Sequence, residues 1–399
     1  MCMFNFGKHG GDTVYGALID ISSGSVGVAI VASLKDEKIP KILFSHRTTM
    51  RVTEYGAEKV EHIRRVRESL FTAALVLSQE GMNTLYEFDR NAVITKLYVT
   101  CSSPWSYTIA RTVNLKNDEP IRVTHSIIND VVQSAETEIL NYVHTIPNLG
   151  EGAFSVVERA TVDITVNQYP IANPINQKGT ELGLTHISGL IPQEILEAVD
   201  EVQKKLFPKT VLHTHTFMLV MYCVLRDTFP RLNSLCIIDI TGEATECAVV
   251  ENGLLIENVS IPIGRNTFIR NVMSATNKPT ADIESHMSVT GDNSHLSDPF
   301  LNEEIQNYEQ HLVSLFNKIL EHRTLPPDIV ITAQNAYEPF FQPIIERAYK
   351  KVMRSDGKII SVRQSIVEGS ENNSIDDMYL IVSARFFHKL HGCGEVDYT

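Results

Sequence analysis

Two short stretches carry residues suited to holding phosphate and a divalent cation. The first, GALIDISSGSVGVAIVASL, sets Asp20 at the end of an apolar run, followed by the small residues Ser22, Ser23, Gly24 and Ser25. The second, LCIIDITGEATECAVVENG, sets Asp239 in the same place, followed by Thr241, Gly242, Glu243 and Thr245. A turn of small residues between two strands lets converging backbone N–H groups approach a phosphate. An aspartate closing the first strand suits Mg²⁺, held through water because that ion keeps part of its hydration shell. Two such hairpins facing each other across a cleft would grip a nucleotide's phosphates from both sides. Either hairpin alone is ordinary for an α/β protein; two, each followed by a third strand and a helix, are not.

The elements around the hairpins repeat as well. Residues 14–47 read as three strands, with the second at Val26–Leu34 and the third at Lys41–His46, and a helix follows at about 57–79. Strand character returns over 92–113. The stretch 115–205 reads as a compact α+β unit: a helix at Val123–Tyr142 capped by Thr124 or Ser126, two strands, and a helix at Pro192–Leu206. An apolar helix at 217–225 precedes the second set of strands, Leu235–Ile240, Thr245–Val250 and Leu254–Ser260, whose Asn252-Gly253 pair suits a type I′ turn. After a mostly helical stretch at 265–322, broken by the polar loop Thr290–Asp298, come the strand PDIVITA, a helix at Tyr337–Met353, the strand KIISV and a last helix in DDMYLIVSARFF.

Composition narrows the function classes. A length of 399 residues exceeds what one core usually serves, so two lobes are expected. Net charge is −13, and the densest basic stretch, Arg64, Arg65 and Arg67, falls on the polar side of an amphipathic helix, which argues against a nucleic-acid surface. Six scattered cysteines without a C-x-x-C pair suit a reducing compartment, and the longest apolar run, Phe217–Leu225, falls short of a membrane span; a cytoplasmic location is expected. His213 and His215 lack a carboxylate or cysteine at ligand spacing and read as polar residues ahead of the apolar helix. CSSPWSY offers serines without a nucleophile turn, and Trp105 reads as packing near the inserted unit.

The hairpins, the strand PDIVITAQNAYEPF and their order resemble the phosphate-1, phosphate-2 and adenosine motifs of the actin-like ATPase fold. The resemblance implies an α/β fold of two duplicated lobes around a nucleotide cleft. It divides the chain into a first lobe (11–114 and 206–230), an inserted FtsA-type α+β subdomain (115–205) and a second lobe (231–388). The implied ligand is ATP with Mg²⁺, the cation held through water at Asp20 and Asp239. The implied nucleotide contacts are Asp20, Ser22, Ser23, Gly24, Ser25, Asp239, Thr241, Gly242, Glu243, Thr245, Gly264, Arg265, Ala333, Gln334 and Asn335.

Within that superfamily the chain resembles the FtsA and PilM branch. SIPIGRNTFIRNVMSATNKPTADIESHM is similar to an FtsA stretch that runs P-x-G-G-N, and the insertion is similar to the FtsA subdomain. The motifs depart in their glycines. Phosphate-1 motifs of FtsA type run D-I-G-[ST]-S, and here the glycine stands two places later; PilM commonly has lysine where Gly27 stands. Ala333 and Gln334 replace paired glycines, and Arg265 replaces another, from where it reaches toward phosphate. Glu243 sets a carboxylate in a phosphate turn; at about 6 Å and an effective dielectric of about 20 this repels a phosphate charge by roughly 3 kcal/mol. At most a weak ATPase is expected, or a pseudo-ATPase.

The resemblance implies, first, an FtsA-like scaffold of a membrane-associated assembly, with the tubulin-like division protein FtsZ as partner and possible self-polymerisation. The alternative is a PilM-like pilus assembly protein that docks a peptide of a PilN-like inner-membrane protein; an actin-superfamily kinase is a second alternative. FtsA normally ends in an amphipathic membrane helix, whereas ARFFHKLHGCGEVDYT runs out within a few residues of the last element here, so membrane contact is expected to be indirect, through a partner.

Overall fold

The computed structural model describes residues 13–35, 37–52, 59–143, 153–171, 173–288, 301–334, 337–360 and 376–391. Asn335, the loop Thr290–Asp298 and the residues after His391 lie outside these.

Two five-stranded sheets share one design. In the first, β1 (Thr13–Ile21), β2 (Ser25–Leu34) and β3 (Lys41–Thr49) form an antiparallel meander, and β4 (Ile94–Cys101) and β9 (Val211–Thr216) add to β1 in parallel, giving the order β3-β2-β1-β4-β9. In the second, β10 (Leu235–Ile240), β11 (Thr245–Glu251) and β12 (Leu254–Ile261) make the meander and β13 (Asp328–Ala333) and β14 (Lys358–Ile360) the parallel half, in the order β12-β11-β10-β13-β14. The near-continuous apolar runs of β1, β2 and β10 follow from burial on both faces. Asn252 and Gly253 take positive φ values of 53° and 77°, which the two-residue turn between β11 and β12 requires.

A third sheet, β5-β8-β6-β7, is built from β5 (Tyr107–Arg122), β6 (Phe154–Val166), β7 (Tyr169–Pro170) and β8 (Lys178–Pro192). Helix α3 (His125–Val143) covers one face, and its cap is Thr124, whose Oγ1 accepts the Ile127 N–H at 3.3 Å. β5 runs on through the charged KNDEPIR, further than its apolar pattern suggests, because β8 pairs with it as far as Arg122.

The first sheet packs on α1 (Lys59–Val76), α2 (Met82–Phe88) and α4 (Gln193–Leu206), the second on α6 (Arg265–Thr276), α7 (Thr280–Ser288), α8 (Asn302–Leu320) and α9 (Glu338–Met353). Between the sheets lie α5 (Phe217–Thr228), apolar nearly all round, and α10 (Met378–His391). Their side chains share one core with Leu18 of β1 and Ile237 of β10. Trp105 is buried beside Ile191 and Ile195, where the third sheet meets the first.

β9 is a strand that its sequence hides. One face carries half-buried His213 and His215, stacked on Tyr98 with ring centroids 4.6 and 5.3 Å apart, and Leu212 alone packs on the core from the other, so VLHTHT has little apolar alternation to read. The helix expected at about 57–79 runs on through one π-type turn, Leu77–Gly81, into α2.

Candidate functional site

Both hairpin aspartates close a central strand and are completely buried. Each has a threonine beside it on the neighbouring parallel strand. Asp20 is in register with Thr100 and accepts its hydroxyl at 3.2 Å; Asp239 is in register with Thr332 and accepts its hydroxyl at 2.8 Å. The duplication therefore extends to an aspartate–threonine pair in each lobe.

Beyond that pair the two diverge. Arg47 on β3 lies opposite Gly27 on β2 and passes over it, since a Cβ at Gly27 would collide with the guanidinium. Arg47 donates to Asp20 Oδ2 at 2.8 Å, to Ser25 Oγ at 2.9 Å and to both carboxylate oxygens of Asp377 at 2.6 and 3.0 Å. Burial raises the Asp20 pKa to about 6 even though Arg47 pulls it down, and the two carboxylates hold Arg47 firmly protonated against its own burial. Among the described residues no cation pairs with Asp239 in this way. Its Oδ1 accepts from Thr332 and from the Tyr379 hydroxyl at 2.8 Å, while among the described residues its Oδ2 has no hydrogen-bond partner. Burial lifts its pKa to about 7, against the two hydroxyl donors.

The two hairpin turns touch. Ser23 Oγ donates to Thr241 Oγ1 at 2.9 Å and accepts the Glu243 N–H at 2.7 Å, and Thr241 Oγ1 reaches the Ser103 carbonyl at 2.9 Å. Gly24 and Gly242 meet face to face: a Cβ on Gly242 would stand 2.7 Å from Gly24 Cα, so that position has no room for a side chain, and one at Gly24 would press on the Arg265 guanidinium. The carbonyls of Thr241 and Gly242 take the first N–H groups of α6, from Arg265 and Asn266, at 2.9 and 2.7 Å. Gly264, just before α6, lies against those same carbonyls.

Glu243 does not face the cleft. Arg270 holds it by two bonds, at 2.5 and 3.0 Å, and Asn266 adds a third at 3.0 Å. Burial works against its ionisation, but these partners outweigh it and keep the carboxyl below its usual range. The carboxylate expected to repel phosphate is thus neutralised by Arg270 instead. Thr245 is also turned away, donating to the Ile263 carbonyl at 2.6 Å beside the Tyr308 hydroxyl.

Arg265 fills the remaining space. It is 7% exposed, hydrogen-bonds through Nη1 to Gln334 Oε1, donates to Asn266 Oδ1 at 3.1 and 3.3 Å, and lies 4.8 Å over the Tyr337 ring. Among the described residues no carboxylate pairs with it, and burial lowers its pKa. Ser22, Gly24, Thr241, Gly242, Ala333, Gln334 and Tyr379 enclose a cavity of about 10 Å³ next to it, room for one water. ATP with Mg²⁺ does not fit this arrangement, because a ligand of that size needs a few hundred Å³.

Sequence reasoning missed Arg47, Thr100, Thr332, Tyr379 and Asp377. Only Thr100 and Thr332 left a signal, each standing at the end of a strand that follows a hairpin.

Two lobes of equal strand order, joined at paired hairpins, define a protein of the actin-like ATPase fold. A chain of the PilM–PilN type IV pilus biogenesis complex is similar, with TM-score 0.57 and 11% identity over 94% of this chain and 97% of that one. Lesser likenesses are the ethanolamine utilization protein EutJ from Carboxydothermus hydrogenoformans (TM-score 0.44, 11% identity, 94% and 89% covered) and an actin-like ATPase fold protein from Bacteroides thetaiotaomicron (TM-score 0.40, 10% identity, 96% and 99% covered). No family model and no curated protein matches the chain. At such identities the likeness is one of fold.

Proposed function

We propose that this chain is an actin-fold adaptor of a membrane-associated assembly, docking a peptide of a membrane protein in the manner of PilM with PilN. The observation that carries this reading is the likeness to a chain of the PilM–PilN complex across nearly the whole length of both. It supports the pilus-type alternative better than the FtsA-like division role that the sequence put first. The geometry favours an adaptor over a kinase: a cleft whose turns are hydrogen-bonded to each other leaves no space for phosphoryl donor and acceptor together.

The same proposal keeps the division into two lobes and an inserted subdomain, with ATP and Mg²⁺ entering only if the hairpins part. The protein would sit at the inner face of the cell membrane through its partner. No helix among the described residues is long and apolar enough to cross a membrane. The test sets a pull-down on the N-terminal peptide of a PilN-type protein beside co-sedimentation with FtsZ filaments. Capture by the peptide alone is expected; co-sedimentation with FtsZ alone would restore the division role, and neither would remove both.

A further inference from the structure

The fold implies a nucleotide between the hairpins, and the side chains have taken that place. Four observations bear on it. The turns are bonded through Ser23, Thr241 and Glu243 and are in contact at Gly24 and Gly242. The space that remains is about 10 Å³. The Arg265 guanidinium reaches from the start of α6 to Gln334 at the end of β13 and lies against Gly24 of the other lobe, where a Cβ would stand 3.0 Å from Nη2. Asp20 and Asp377 are paired with Arg47 and Glu243 with Arg270, and Glu284, beside Tyr337, and Glu243 act on Arg265 only through space, so among the described residues Arg265 is a buried cation hydrogen-bonded by neutral acceptors and set over an aromatic face.

We propose that Arg265 is a built-in latch that occupies the cleft in place of a nucleotide, anchored by its hydrogen bonds within the second lobe and lying against Gly24 of the first. The latch deepens the adaptor reading without depending on it, because it concerns the cleft and not the partner. A guanidinium suits this position physically. It is planar, always charged, and presents donors on several sides, so one side chain bonds Asn266 and Gln334, lies over Tyr337 and fills the space against Gly24 at once. Smaller residues at position 265 keep the Ser23 bonds and the Gly24–Gly242 contact between the hairpins but leave an empty volume where the guanidinium lay. Nucleotide and Arg265 are then competitors for one space, and the affinity of the wild type is set by what it takes to displace the arginine.

The experiment compares the full chain with Arg265→Ala and Arg265→Lys, using titration with a fluorescent ATP analogue plus Mg²⁺ and thermal melting with and without methylguanidinium. The wild type is expected to show no saturable binding up to about 1 mM, and Arg265→Ala to bind at least about tenfold more tightly. Arg265→Ala is also expected to melt lower, and millimolar methylguanidinium to restore part of the loss without affecting the wild type. Wild-type binding as tight as that of the alanine variant overturns the latch. Where neither binds nucleotide, recovery by methylguanidinium sustains it and lack of recovery overturns it. If the alanine variant does not fold, the lysine variant carries the test: it keeps the charge but loses the guanidinium, so unchanged melting and unchanged nucleotide affinity overturn the proposal.

Discussion

Arg47 Nη2 lies 2.8 Å from Asp20 Oδ2, and the route between them passes directly over Gly27. The glycine and the arginine are cross-strand partners, so the small residue on β2 is what lets the long one on β3 reach the aspartate of β1. A cation thus stands beside Asp20 although position 27 supplies none.

Gly27→Ala is therefore expected to displace the guanidinium and break a buried ion pair, at a cost of about 3 kcal/mol. Urea unfolding measures it. In an Arg47→Ala background the same substitution should cost well under about 1 kcal/mol, because nothing then occupies the space; an additive pair of effects would refute the coupling.

Asp239 gives stability a pH dependence of definite sign. Its pKa is raised by burial from 3.8 to about 7, so the folded state binds the proton more tightly than the unfolded chain. That contribution is complete below the unfolded value and is lost as pH rises through the folded one, a fall of roughly 4 kcal/mol at most. Asp20, at about 6, acts in the same direction. Asp239→Asn keeps an oxygen for Thr332 and Tyr379 and removes the charge. Its stability should match the wild type near pH 4 and exceed it by about 2 kcal/mol near pH 8, as read from denaturation curves at both pH values.

The hairpins were legible because they are local: an aspartate, a run of small residues and a second strand are adjacent in the chain, and their repetition points to a duplicated fold. The surroundings of the aspartates were not. Tyr379 reaches Asp239 from 140 residues away, and Arg47 becomes a partner of Asp20 only once the register of β2 on β3 is known. Glu243 misled for a related reason. Asn266 and Arg270 stand one helical turn apart on α6, and it is the packing of that helix under the turn that brings both to the carboxylate. β9 stayed hidden because one of its faces carries histidines that stack on a tyrosine, and stacking leaves no hydrophobic period.

The Glu243–Arg270 pair is largely buried, with side chains 16% and 12% exposed, so removing one partner strands the other. Arg270→Ala is expected to destabilise by about 2–3 kcal/mol, more than the double variant Arg270→Ala/Glu243→Ala, which strands no charge. A double variant less stable than both single ones, by thermal melting, would show that the pair does not act as a unit.

Asn258 ties the second lobe to the third sheet. From β12 its Nδ2 donates to the Thr108 carbonyl on β5 at 2.9 Å and to Glu246 Oε1 on β11 at 2.6 Å. Thr108 Oγ1 in turn donates to Thr216 Oγ1 at 2.8 Å, which donates at 2.9 Å to Glu158, the partner of His215 at 2.5 Å, so one polar chain crosses all three sheets. Burial already raises the Glu246 pKa to about 8, and the Asn258 amide is the donor that restrains it. Asn258→Ala removes that donor and the contact with β5 together. It is expected to cost about 2 kcal/mol near neutral pH and more near pH 9, where the stranded carboxyl of Glu246 must ionise or leave the core. Adding Glu246→Gln should abolish that extra cost at high pH while leaving the loss from the broken Thr108 contact, and unfolding curves of the single and double variants at both pH values separate the two contributions.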